Sequence, residues 1–216
     1  MVTHAWDNIF LHLVAAVIVD ALGAVGTYED VANQMVQAGG LARLREELCR
    51  RDALSIVYWV CAICINQHAG ICGGFGQAPP ESTPERAAWE RKRRDWAGNP
   101  YPICPCKQDK FFNDRPVECE LNKFDDMMTH LARAQPSFKQ VICVDAQFGL
   151  FTRAWCVAEL VEADSSSIRQ SVVIHSTSNL DEHYNSIASL EVRACQASRV
   201  EDKELILSKI IDIDAF

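Results

Sequence analysis

The sequence lacks an apolar segment that could cross a membrane. Its longest apolar stretch, residues 9–25, is interrupted by His12 and Asp20 and is shorter than the roughly 20 apolar residues of a spanning helix. A signal peptide begins with basic residues, but the residues before this stretch include Asp7 and no lysine or arginine. We therefore expect neither membrane insertion nor export, and we predict a cytoplasmic protein.

Basic residues are also scarce. The chain has 21 lysines and arginines against 29 aspartates and glutamates, which gives a net charge of −8. An acidic surface repels phosphate backbones, so we expect no nucleic-acid partner. The one basic run, residues 91–94, lies in a polar stretch and is interpreted as part of a solvated loop.

Cysteine, in contrast, is plentiful, with ten residues in the chain. A disulfide framework is typical of short secreted chains with small cores, and this chain is long enough for a sizeable core. Buried thiols behave as small apolar side chains, and several cysteines lie inside apolar segments. These are Cys61, Cys64, Cys143 and Cys156. We interpret them as reduced thiols of a cytosolic protein.

The apolar pattern predicts an α/β fold. Strands are predicted at residues 1–4, 54–65, 140–145, 171–175 and 190–194. Helices are predicted at residues 10–22, 28–51 (two helices divided at Gly39), 120–134, 152–163, 181–188 and 203–211. This alternation predicts one domain over residues 1–216, with a parallel sheet of about five strands and helices on both faces. Residues 69–119 show no clear periodicity and are predicted to be an irregular insertion.

Polar residues follow the predicted strands at their carboxyl ends, where open parallel sheets bind ligands. His4 and Trp6 follow the first strand, Asn66 the second and Asp145 the third. We interpret these four residues as candidate substrate contacts because the sheet would bring them to one edge. Each residue taken alone also fits a helix cap or a solvated loop.

The helix predicted at residues 152–163 carries an acid beside an indole. Trp155 and Glu159 are i, i+4 neighbours on one flank of its apolar stripe. Such a pair near the carboxyl edge of a sheet could hold a flat, cationic ligand. The alternative is a boundary glutamate that covers a large tryptophan.

Two segments resemble a known family. Residues 152–160, Thr-Arg-Ala-Trp-Cys-Val-Ala-Glu-Leu, resemble the Trp-Cys-x-x-Glu-Leu helix of TIR domains and the related segment of fungal heterokaryon-incompatibility domains. Residues 59–67, Trp-Val-Cys-Ala-Ile-Cys-Ile-Asn-Gln, resemble a strand of the fungal group, with Cys61 where that group has aspartate. The resemblance implies a flavodoxin-like TIR fold over nearly all the chain.

The resemblance also implies a function. In enzymatic TIR domains the glutamate that corresponds to Glu159 cleaves NAD at the nicotinamide–ribose bond, so NAD is the implied substrate, in signalling or defence. Nicotinamide leaves as a neutral molecule, so one carboxylate suffices where ordinary glycosidases need two. The alternative is a non-catalytic TIR-type module that acts through homotypic contacts. Either protein would self-associate on activation and could be fused to further domains.

The insertion carries five candidate metal ligands, which are His68, Cys72, Cys104, Cys106 and Cys119. A structural zinc ion needs four imidazole or thiolate ligands, and an ion that closes this loop would offset part of its ordering entropy. We predict a structural zinc here. The alternatives are unligated thiols, a place for His68 in the substrate crevice, and a small metal-dependent enzyme centred on the loop.

Overall fold

The computed structural model describes residues 1–24, 26–70, 78–94, 97–101, 104–109, 111, 115, 117–119, 124–197, 200–208 and 210. The chain divides into two compact units. We call Met1–Cys64 together with Phe124–Phe216 the core unit, and Ile65–Lys123 the inserted unit. The insertion predicted at residues 69–119 lies within the inserted unit.

The core unit alternates strands and helices along the chain, as predicted. Its first part contains β1 (Val2–His4), α1 (Phe10–Ala21), β2 (Gly26–Thr27), α2 (Glu29–Val36), α3 (Gly40–Arg50) and α4 (Cys61–Cys64). The inserted unit then contributes α5 (Gln67–Gly70) and α6 (Pro84–Lys92). The core unit continues with α7 (Phe124–Ala134), β3 (Lys139–Cys143), α8 (Ala154–Ser165), β4 (Arg169–Ile174), α9 (Thr177–Ala188) and α10 (Val200–Ser208).

The four strands form one all-parallel sheet in the order β1-β3-β4-β2. Val2 of β1 lies opposite Val141 of β3, which in turn lies opposite Ser171 of β4. This architecture confirms the predicted α/β class and is consistent with a flavodoxin-like fold. Within the described residues the sheet has four strands, so the expected fifth strand is not confirmed.

Two predicted strands take other forms. The segment at residues 54–65 makes a single bridge, Val2 with Val60, and then turns into α4. Val57 in this segment is 91% exposed, so the apolar run is not a strand covered on both faces. Residues 190–194 contain a 3₁₀ turn, Val192–Ala194, instead of a strand. Short apolar runs without a clear period do not distinguish strand from helix or turn, which explains both errors.

Helices cover both faces of the sheet. On one face Leu13 and Val19 of α1 pack against Val141 and Val173. Each fully buried side chain of this kind contributes roughly 1.5–3 kcal/mol. On the opposite face the apolar residues of α8 pack in two clusters. Because α8 follows the carboxyl end of β3, the motif at residues 152–160 lies directly against the sheet. Among the described residues no helix has both the length and the apolar character of a membrane span.

Candidate functional site

Glu159 lies between α8 and the sheet, in a buried polar network. Its side chain is 8% exposed, and its Oε2 accepts a hydrogen bond of 2.6 Å from the hydroxyl of Thr3 in β1. Gln140 of β3 donates both to the Thr3 hydroxyl, at 2.7 Å, and to the Glu159 carbonyl, at 3.1 Å. Gln170 of β4 donates to the Gln140 Oε1 at 2.8 Å and extends the network across the sheet. The acid is thus fixed by three neighbouring strands.

This environment favours the neutral form of the acid. Burial raises the pKa of Glu159 from 4.5 to about 7, while the Thr3 hydrogen bond and the amino group of Met1 act in the opposite direction. No side chain of the described residues forms a salt bridge with Glu159. A carboxyl group in this state can exchange a proton near neutral pH.

A second group of polar and thiol side chains lies at the carboxyl end of β1. The Cys61 thiol of α4 is 3.7 Å from the Nε2 of His4, and the Trp6 indole N–H donates to the same sulfur at 3.1 Å. Cys156 of α8 donates to the His4 carbonyl at 3.5 Å. Burial lowers the pKa of His4, so its imidazole is held neutral. The Trp6 side chain is 43% exposed, so this member of the group is open to solvent.

The two groups interact electrostatically. Burial raises the pKa of Cys61 to about 12, and the negative charge of Glu159 adds to this increase. The pKa of Cys156 is also raised, first by burial and then by the charge of Glu159. When ionised, Glu159 therefore disfavours the thiolate forms of Cys61 and Cys156.

The structure gives two of the predicted contacts a structural partner. The carboxylate of Asp145 accepts hydrogen bonds from the backbone N–H groups of Gln147, Gly149 and Leu150, at 2.8–3.1 Å, and so caps the loop after β3. The half-buried ring of Trp155 packs edge-on against Phe124, with 5.8 Å between ring centroids. The roles of Asp145 and Trp155 as substrate contacts stay predictions.

Asn66 belongs to the inserted unit. Its Oδ1 accepts hydrogen bonds from the backbone N–H groups of His68, at 3.1 Å, and Ala69, at 3.4 Å. This side chain therefore caps the short helix α5. Its role as a substrate contact stays a prediction.

Three of the five predicted metal ligands come together in the inserted unit. The ligand atoms of His68, Cys104 and Cys106 all lie within 4.8 Å of one another, and this group could hold a metal ion. Cys104 Sγ is 3.5 Å from His68 Nδ1. Cys119 is buried and is not one of these three residues, so its role as a ligand stays a prediction. Cys72 lies outside the described residues.

The partners of Glu159 could not be identified from the sequence. Thr3, Gln140 and Gln170 are polar residues inside strands, and Thr3 and Gln140 are fully buried. A polar side chain in a buried strand needs a hydrogen-bond partner. Polar residues inside apolar strand segments were therefore a sign of a buried polar network, but their partner could be named only once the strand register was known.

The fold and the site define the class of the core unit as a parallel α/β domain with a buried acid on the helix after β3. Comparison of the chain with protein-family models, curated proteins and solved structures gives no match.

Proposed function

We propose that the chain is a TIR-like NAD glycohydrolase in which Glu159 is the catalytic carboxylate. The observation that supports this proposal is a buried carboxyl group without a salt-bridge partner among the described residues. A buried acid without a cation costs free energy, and a glutamine could make the Thr3 contact without that cost. Acids with a pKa shifted by burial are enriched at functional sites.

The chemistry needs one anion near the ribose. The bond between C1′ of the ribose and the nicotinamide nitrogen breaks, its electron pair goes to the nitrogen, and nicotinamide leaves as a neutral molecule. The Glu159 carboxylate would stabilise the positive charge that develops on the sugar. Water then attacks C1′ and loses a proton, which gives ADP-ribose.

The substrate must be able to reach the acid. Because Glu159 is 8% exposed, we propose that the described conformation is a resting state. Movement of α8 or β1, driven by self-association, would separate Thr3 from Glu159 and admit the ribose. The exposed Trp6 is the ring best placed to stack on the ligand, and His4 would supply a neutral polar contact.

Nicotinamide release from NAD tests the proposal. Wild type is incubated with NAD over a wide range of protein concentrations and nicotinamide is measured by chromatography. Glu159→Gln should abolish release. Glu162→Gln, a matched change at a half-exposed position of the same helix, should keep wild-type activity. Equal rates for wild type and Glu159→Gln would remove Glu159 from the mechanism.

A separate observation favours the alternative, a homotypic interaction module. Val172 is 51% exposed although its strand, β4, lies between β3 and β2. None of the residues of α9 is buried, and Tyr184 on this helix is 65% exposed. Solvent-exposed apolar side chains on an interior strand are typical of a surface that contacts another protein. If the chain is an adaptor, Val172→Lys should abolish concentration-dependent self-association in light scattering, and wild type should release no nicotinamide in any assembly state.

We further propose that zinc is the ion of the His68, Cys104 and Cys106 group. Thiolate and imidazole ligands favour zinc over magnesium or calcium, which prefer oxygen. A reducing compartment such as the cytoplasm would keep both cysteines available as ligands. Elemental analysis of the purified protein tests the identity of the ion.

A further inference from the structure

The inserted unit has almost no apolar core in its described part. Between residues 65 and 123, Cys119 is the single described side chain in the buried apolar class. The three hydrophobic clusters of the protein contain only residues of the core unit, as far as the chain is described. Apolar burial is the main force that offsets the ordering entropy of a chain. Within its described part, apolar burial therefore contributes little to the order of the inserted unit.

Surface interactions in the inserted unit are too weak for this role. Glu90 of α6 forms partly exposed ion pairs with Arg86, at 2.9 Å, and with Arg94, just after the helix, at 3.3 Å. The guanidinium groups of Arg86 and Arg93 lie over the Trp89 ring, at 5.0 and 4.6 Å from its centroid. Solvent-exposed contacts of this kind contribute little to stability. They support one short helix.

The metal-ligating group joins distant parts of this unit. His68 lies on α5, and Cys104 is 36 residues further along the chain. In a tetrahedral zinc site with bonds of 2.0–2.3 Å, ligand atoms are about 3.3–3.8 Å apart. The 3.5 Å between Cys104 Sγ and His68 Nδ1 already has this spacing, and the whole group lies within 4.8 Å. Small side-chain movements would bring these three ligands to bonding distance of one ion, and a structural zinc site takes a fourth ligand in addition.

We infer that metal binding by His68, Cys104 and Cys106 folds the inserted unit, which has no stable fold without the ion. On binding, the two thiols release their protons and coordinate as thiolates, and His68 binds through neutral Nδ1. The free energy of metal binding then serves as folding free energy, as in other small metal-stabilised units. This inference rests on the metal site proposed above and is independent of NAD cleavage.

The test combines metal titration with limited proteolysis of the full chain. Trypsin can cut after the basic residues at 91–94, which lie in and just after α6. The metal-free protein, prepared with a chelator, should be cut there at least about tenfold faster than the zinc-bound protein, and added Zn²⁺ should restore protection. Fragments of the core unit should persist in both states. Titration with Co²⁺ should show thiolate-to-cobalt absorption at one ion per chain.

Two variants complete the design. Cys104→Ser should weaken Co²⁺ binding and be cut rapidly with or without Zn²⁺, whereas Cys49→Ser, which alters an exposed cysteine of α3 in the core unit, should behave as wild type. If the ion binds but the cutting rate does not change, the metal site exists and the inference about folding is wrong. If neither Zn²⁺ nor Co²⁺ binds, both the site and the inference are wrong. Nicotinamide release is measured on the same samples and reports separately on Glu159.

Discussion

The buried carboxyl of Glu159 should make the stability of the core unit depend on pH. Burial raises the pKa of this group from 4.5 to about 7 in the folded state, and unfolding returns the group to water. Between these two pH values the folded state binds more protons than the unfolded state. The contribution of the protonated Glu159 to the free energy of unfolding is therefore fully present below pH 4.5. It is lost progressively as the pH rises through about 7. At 1.36 kcal/mol per pKa unit, the loss amounts to about 3 kcal/mol.

Urea unfolding of wild type and Glu159→Gln at pH 5 and pH 8 measures this effect. Glutamine has nearly the same shape, can accept the Thr3 hydrogen bond and does not titrate. The stability of Glu159→Gln relative to wild type should therefore rise by about 2.5 kcal/mol between pH 5 and pH 8, which is most of the full loss. Glu162→Gln, at a half-exposed position on the same helix, should show no such change. Parallel pH profiles for wild type and Glu159→Gln would refute the reasoning, because they would mean that the acid is solvated in the folded protein.

Substitutions at four further positions probe the core unit. Thr3→Val removes the hydrogen bond that holds the pKa of Glu159 down, so this pKa should rise further in a carboxyl-carbon NMR titration. Asp145→Ala removes the acceptor of three backbone N–H groups in the loop after β3 and should lower the free energy of unfolding in urea by about 1–3 kcal/mol. An increase in KM for NAD at unchanged stability would instead indicate that Asp145 contacts the substrate. Met128→Ala empties a fully buried position on α7 and should cost about 2–5 kcal/mol in the same assay. Asp20→Ala removes the partner of Lys139 and of the Tyr58 hydroxyl, so it should destabilise by roughly 2–4 kcal/mol, and Asp20→Asn by less.

Periodicity predicted the framework of the core unit. The helix expected at residues 10–22 is α1, and the division expected at Gly39 separates α2 from α3. These segments are long and have one apolar face, so their pattern is distinctive. β2 was missed because its two residues are too few to show a period. The helix α6 was also missed, although Thr83 before Pro84 is a typical helix start.

The candidate site was predictable only in part. The motif at residues 152–160 drew attention to Glu159, but spacing placed this residue at the boundary of the core, whereas the structure buries it. Its burial results from the pairing of β1 with β3, which brings Thr3 and Gln140 over the middle of α8. Contacts between residues more than a hundred positions apart depend on strand register, which local pattern does not specify. Ligand chemistry predicted the metal-ligating group, while coordinates were needed to show that His68, Cys104 and Cys106 lie together.

The strand β1 is three residues long, and its alternation sends neighbouring side chains to opposite sides of the sheet. Thr3 points to the acid, and His4, the next residue, lies beside a thiol. A slip of β1 by one position would place His4 where Thr3 now lies and bring an imidazole to the buried carboxyl. The smallest sliding step available to a β-strand would therefore be enough to replace a neutral hydroxyl–acid pair with an imidazolium–carboxylate pair.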